Sequence, residues 1–143
     1  MGSGAYTRYA VFREALEQSS GLFAACAGWS LVDELGKGES ESRLHNTDFA
    51  QPAIFAVQVA LAALWRSWGI VLDVVVGHSL GEVAAAVSAG ALSLEDGVGV
   101  VFERSRLMKT VAGKGMTAVV GLPLDRAAEA RIIASSVPSC AFP

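Results

Sequence analysis

Leu72-Asp73-Val74-Val75-Val76-Gly77-His78-Ser79-Leu80-Gly81-Glu82-Val83-Ala84-Ala85-Ala86-Val87-Ser88-Ala89-Gly90 is the stretch that decides the fold. An apolar run leads into Gly77-His78-Ser79-Leu80-Gly81, and an alanine-rich segment of good helix propensity follows at once. Strand, sharp turn and helix in that order describe a nucleophile elbow with Ser79 at its apex. The turn strains the serine backbone, and glycines two before and two after let strand and helix pass without a Cβ clash. The N-terminus of the helix then offers free N–H groups and a partial positive charge where an oxyanion would form. A tight turn that merely carries a serine is the plainer alternative. The apolar strand on one side and the helix on the other favour Ser79 as a nucleophile.

The 143 residues suit one domain with a real core. Hydrophobic residues make up 52% and charged residues 17%, and the mean hydropathy is +0.45. So apolar a composition suggests a piece of a larger core. A net charge of −3 supplies no basic face for nucleic acid. Cys26 and Cys140 form no disulfide framework and have no metal-ligand spacing. No metal site is expected. The first residues lack the pattern of a secretory signal, and the apolar stretch 52–65, interrupted by Gln58, is too short to span a bilayer. A cytoplasmic location is the default expectation.

Residues 1–4 read as a flexible start. Residues 9–22 predict a helix with Val11, Phe12, Ala15 and Leu16 on its apolar side, punctuated by Gly21 and Gly28, and residues 29–35 a short helical turn. Residues 36–46 (GKGESESRLHN) are a polar surface loop, with His45 as a solvated loop histidine. Thr47 or Asp48 caps a helix over 49–68, with Pro52 in its first turn. Its stripe is Ile54, Val57, Leu61, Leu64 or Trp65, and Trp68; the other side is also apolar, so this helix is buried on more than one side. Residues 70–76 suit a central parallel strand. Ser93-Leu94-Glu95-Asp96 is a capping box for a helix to about Val111, with Val98, Val101, Phe102, Ser105 and Met108 facing inward. Residues 116–121 are strand-like, residues 124–133 helical, and residues 135–143 (SSVPSCAFP) have no periodicity. The arrangement is α/β, with too few strands for a complete sheet.

A serine hydroxyl needs a base within hydrogen-bond reach. His78 is adjacent to Ser79 on the turn, so its side chain should diverge and line the pocket mouth instead. His45 has no argued route to the site, and Asp73 lies several residues down the strand. The nucleophile is present without its base. Gln51 stands beside Pro52 among apolar neighbours, as a capping amide or as an active-site group. Arg104 and Arg106 flank the inward stripe on opposite sides, and periodicity does not choose between them; either can be a solvated arginine.

Taken together, the runs 51–61 (QPAIFAVQVAL), 65–69 (WRSWG), 77–82 (GHSLGE), 91–96 (ALSLED) and 104–108 (RSRLM) resemble the acyltransferase domain of modular type I polyketide synthases. Malonyl-CoA:acyl-carrier-protein transacylases have the same fold. The resemblance covers roughly Met1 to Arg131, and its motifs occur in the family's order.

It implies a partial α/β-hydrolase-like acyltransferase core at 1–112, the start of a ferredoxin-like subdomain at 113–134, and an atypical tail at 135–143. It implies that Ser79 takes the acyl group of malonyl- or methylmalonyl-CoA as an ester, with the backbone N–H of Leu80 in the oxyanion hole. Arg104 would pair with the free carboxylate of the acyl group, and Gln51 would lie near the acyl pocket. The acyl group would pass to the phosphopantetheine of an acyl carrier protein, beside other synthase domains, with no bound cofactor. Leu80, where methylmalonyl-type domains often have glutamine, leans toward malonyl.

Two parts of the family pattern are absent: the opening GQGxQ segment, and the catalytic histidine beyond the small subdomain. A truncated fragment with little activity is therefore the expectation. The alternatives are an α/β-hydrolase-type serine esterase and a non-catalytic remnant that docks to a synthase.

Overall fold

A computed structural model describes residues 1–111, which hold six helices and no β-ladder. The sequence expectations at 113–134 and 135–143 lie outside the described residues, as do the strand-like 116–121 and the helical 124–133. The helices are α1 (Ser3–Arg8), α2 (Ala10–Ala27), α3 (Leu31–Gly36), α4 (Thr47–Ser67), α5 (Leu80–Ser88) and α6 (Leu94–Thr110).

The start of the chain is not a loose end. Gly2 takes a positive φ of 71° and α1 begins at the next residue. A Cβ on Gly2 would meet the Phe12 ring at 3.2 Å and Val57 at 3.6 Å, so the turn lies directly on the core. Helix α2 runs through Gly21 and ends where Gly28 adopts the left-handed conformation with φ 72°. Its buried stripe is Phe12, Leu16, Ser19, Ser20 and Phe23, while Val11 is exposed.

Helix α3 shows how completely a short buried helix satisfies its first N–H groups. Ser20 Oγ, reaching over from α2, accepts from Leu31 N at 3.1 Å and Val32 N at 3.2 Å. The Ser30 cap accepts Asp33 N at its Oγ and Glu34 N at its carbonyl oxygen. Glu34 itself is buried and accepts from Lys37 Nζ at 2.8 Å and from Arg43 Nε and Nη2 at 2.9 and 2.7 Å. Arg43 also lies over the Phe49 ring at 4.0 Å. The polar loop 36–46 is thereby pinned to α3 and to the start of α4. Burial raises the Glu34 pKa, but the hydrogen bonds from Lys37 and Arg43 outweigh it and hold the carboxyl at about 2.

Helix α4 is the centre of the fold, packed on α2, α3 and α5. It starts two residues earlier than its sequence suggests. Asn46 is the cap residue, without a side-chain hydrogen bond, so neither Thr47 nor Asp48 caps it. Pro52 is consequently inside the helix, beyond the first turn, and buried. The core face is Pro52, Ala53, Phe55, Ala56, Ala60 and Leu64; Phe55 meets Phe23 edge-on at 6.1 Å.

The stripe expected to be the main one is the open side. Ile54, Leu61, Trp65 and Trp68 are exposed, the last two to 49% and 54%. Two apolar faces gave the periodicity no way to rank them. With 21 residues, α4 is long and apolar enough to cross a membrane by length and composition, which the shorter count 52–65 missed. In this structure it is a core helix of a helical layer.

The expected strand at 70–76 forms no β-ladder among the described residues. Val71, Val74 and Val76 are exposed, to 82%, 80% and 90%. A strand is defined by its hydrogen-bonded neighbour, and the described residues provide none. The capping box at Ser93 is present: Ser93 Oγ accepts from Asp96 N at 3.0 Å and donates to Asp96 Oδ2 at 2.8 Å. Val98, Val101 and Ser105 of α6 are buried as expected, whereas Met108 is exposed. Gly97 lets α6 lie against Phe55 and Val87, where a Cβ would press into both side chains.

Candidate functional site

Ser79 is the single described residue other than glycine with a positive φ, at φ 55° and ψ −113°. Such a backbone costs on the order of 1–3 kcal/mol and persists where its surroundings over-determine it. Those surroundings are an apolar approach, a helix starting at the next residue, and a glycine on each side. The two glycines are not equivalent. A Cβ on Gly77 would overlap the carbonyl of Gly81, so this crossing admits no side chain. A Cβ on Gly81 would meet only Gln58 Nε2, at 3.9 Å. Steric demand falls on the first glycine alone.

The turn exposes the serine hydroxyl at the start of α5. Leu80 is the first helical residue: its side chain belongs to the core, which fixes the helix end in place. Hydrogen bonds Gly81 N to His78 O at 2.9 Å and Glu82 N to Ser79 O at 3.1 Å tighten the turn. The Leu80 N–H has no such acceptor among the described residues and lies beside the serine.

Arg104 reaches this turn from α6. Its Nη2 donates to Ser79 Oγ at 2.7 Å, and its Nη1 donates to Gln51 Oε1. Gln51 in turn donates from Nε2 to the Met108 sulfur at 3.0 Å. Three separate helices thus contribute to one cluster: Gln51 from α4, Ser79 at the head of α5, and Arg104 with Met108 from α6. Arg104 is half-buried, while Arg106 points to solvent and pairs with Glu103 at 2.7 Å. The choice between the arginines that periodicity left open is made by the direction of α6. Half-buried Gln51 is a partner of Arg104 and caps nothing. Met108, expected in the core, is the member that sequence reading missed; its place four residues after Arg104, on the same helical face, was the available signal.

His78 is exposed and lines a different space. A groove of about 530 Å³ runs between α4 and α5, bounded by Gln58, Leu61, Trp65, Val76, His78 and Ala84 among others. Gln51, Ser79 and Arg104 do not line it. His78 lines this groove together with Gly77 and Gly81, on either side of the serine. His45 is occupied in its loop, its Nδ1 at 3.1 Å from Ser42 O and its Nε2 at 3.1 Å from Asn46 Nδ2. Neither of the chain's two histidines hydrogen-bonds Ser79. Among the described residues no group of three or more His, Cys, Asp or Glu side chains could hold a metal ion.

Comparison with known proteins gives the cluster a context. The family described as "Acyl transferase domain" matches residues 1–141, which includes most of the stretch from Ser135 that sequence reading had set apart from the family. The spectinabilin polyketide synthase system protein NorC of Streptomyces orinoci is 48% identical over 130 residues, covering 90% of this chain and 6% of that protein. Among solved structures, a loading acyltransferase from the avermectin modular polyketide synthase matches with a TM-score of 0.73 at 40% identity, over 79% of this chain and 36% of that one. A malonyl-transacylase in complex with its type II polyketide synthase acyl-carrier protein matches with a TM-score of 0.71 at 28% identity, over 91% of this chain and 43% of that one. The chain thus spans a small part of its curated relative and less than half of these solved chains. The helical layer of residues 1–111 is part of an α/β acyltransferase fold, and the chain belongs to the acyl transferase domain family in the form found in modular polyketide synthases.

Proposed function

We propose that Ser79 is the acyl-accepting nucleophile of a carboxyacyl transfer from a coenzyme A thioester to the thiol of a carrier protein. The observation that carries this reading is the 2.7 Å hydrogen bond between Arg104 Nη2 and Ser79 Oγ. A guanidinium fork within one bond of a nucleophilic oxygen is the group that would hold the distal carboxylate of a malonyl or methylmalonyl unit while its thioester carbonyl meets the serine.

The first half-reaction forms the Ser79 Oγ–carbonyl carbon bond and breaks the carbon–sulfur bond. The coenzyme A thiolate leaves and takes a proton. The tetrahedral oxyanion is met by the Leu80 N–H at the head of α5, where the helix dipole adds positive potential. The second half-reaction reverses this chemistry with the phosphopantetheine thiol of an acyl carrier protein as acceptor. The carrier-bound relative supports that partner, and the synthase relatives support neighbouring domains. Gln51 orients Arg104. His78, which lines the groove between α4 and α5, is assigned no chemical step.

The proton of Ser79 needs a base, and the two histidines of this chain do not supply one. In the family that base is a histidine beyond the small subdomain. Intact-mass measurement over time with malonyl-CoA tests the reading: a malonyl adduct that is absent from Ser79→Ala is expected. An adduct that persists in Ser79→Ala would contradict it.

A further inference from the structure

Met108 has no role in acyl transfer as described above, yet its sulfur lies 3.0 Å from Gln51 Nε2. An amide has one acceptor end and one donor end, whereas a guanidinium only donates and a thioether only accepts. Gln51 presents Oε1 to Arg104 and its NH2 to Met108, the one orientation in which both ends are matched. A flipped amide would set donor against donor at Arg104 and leave the sulfur facing a carbonyl oxygen. Arg104 and Met108 are one turn apart on α6, so a single helix face grips the amide from both ends.

We infer that Met108 is a positioning residue: its sulfur fixes the Gln51 amide, and through it the plane of the Arg104 guanidinium at Ser79. The geometry has a consequence for carboxylate selection. Arg104 carries one bond to Gln51 from Nη1 and one to Ser79 from Nη2, and its remaining N–H groups keep a defined direction for an incoming carboxylate only while Gln51 holds still. Met108 is exposed, so its conservation of volume in the core is not what the site requires of it. The acceptor atom is. This inference rests on the reading of Arg104 as the carboxylate partner, but the amide orientation does not.

The experiment compares Met108→Leu, which keeps bulk and loses the acceptor, with Met108→Gln, which restores an acceptor oxygen. The side-chain amide signals of Gln51, assigned by their loss in Gln51→Glu, are followed in nitrogen–proton correlation spectra of the whole chain. Met108→Leu is expected to shift or broaden them and to slow malonyl transfer to Ser79 roughly three- to tenfold, the worth of one neutral hydrogen bond. Met108→Gln is expected to keep the amide signals sharp and to recover most of the rate. Unchanged amide signals in Met108→Leu would overturn the inference. If the wild-type chain takes no acyl group from malonyl-CoA, the functional reading falls, and the amide signals still decide whether the sulfur fixes Gln51.

Discussion

Arg104 and Ser79, 25 residues apart in sequence, are joined by a hydrogen bond of 2.7 Å between a guanidinium and a hydroxyl. The bond exists because α6 starts at the Ser93 cap and meets Phe55 and Val87 at Gly97, from where Arg104, two turns on, reaches Ser79. The arginine rests on the very hydroxyl proposed as the acyl acceptor. A carboxylated acyl group would have to share or replace that contact.

Arg104→Lys keeps the charge and loses the planar fork. Acylation of Ser79 by malonyl-CoA should slow by roughly ten- to a hundredfold, the worth of a charge-assisted bond. Quenched time points read by intact mass measure it. An unchanged rate would remove Arg104 from the site.

Gly77 and Gly81 look alike in the motif and should behave differently. Gly77→Ala forces a Cβ into the Gly81 carbonyl and should destabilise the fold by roughly 2–4 kcal/mol. Gly81→Ala, whose Cβ would make only an ordinary contact with Gln58, should be neutral or stabilise by about 0.5 kcal/mol. Urea midpoints of the two variants give the comparison.

Ser79→Gly separates strain from chemistry. A glycine relieves the backbone at φ 55° and should raise stability by about 1 kcal/mol while removing the acyl acceptor. Ser79→Ala should remove the acceptor without that gain. Equal stabilities for the two variants would mean the turn stores no strain.

Glu34 sets an acid limit on the fold. Its folded pKa of about 2 lies below the ordinary 4.5, so its contribution is fully present above about pH 4.5 and is lost as the pH falls toward 2. Glu34→Gln should cost about 1–3 kcal/mol at neutral pH and flatten the dependence between pH 5 and pH 2. Denaturant midpoints across that range provide the check.

What the sequence disclosed depended on how local the cause was. The Ser93 cap, the loop 36–46 and the backbone turn at Ser79 follow from side chains within a few residues of each other, and all were legible. The Ser20 cap on α3 and the Glu34–Arg43 pair join residues about ten apart across a loop, and no periodicity reports such a contact. Helix α4 carries apolar residues all round, so its pattern announced burial without saying which side the described core would use. The same limit applies to 70–76: composition says strand, but pairing is a property of a neighbour. Within the site, Ser79, Gln51 and Arg104 were readable as candidates, whereas their grouping and the contact of Gln51 with the Met108 sulfur required the directions of three helices.

The most direct test of Ser79 as acyl acceptor is peptide mapping by mass after exposure to malonyl-CoA. The account predicts a malonyl mass increment confined to the peptide that contains Ser79 and absent from Ser79→Ala. An increment on another residue, or one that persists in Ser79→Ala, would contradict it.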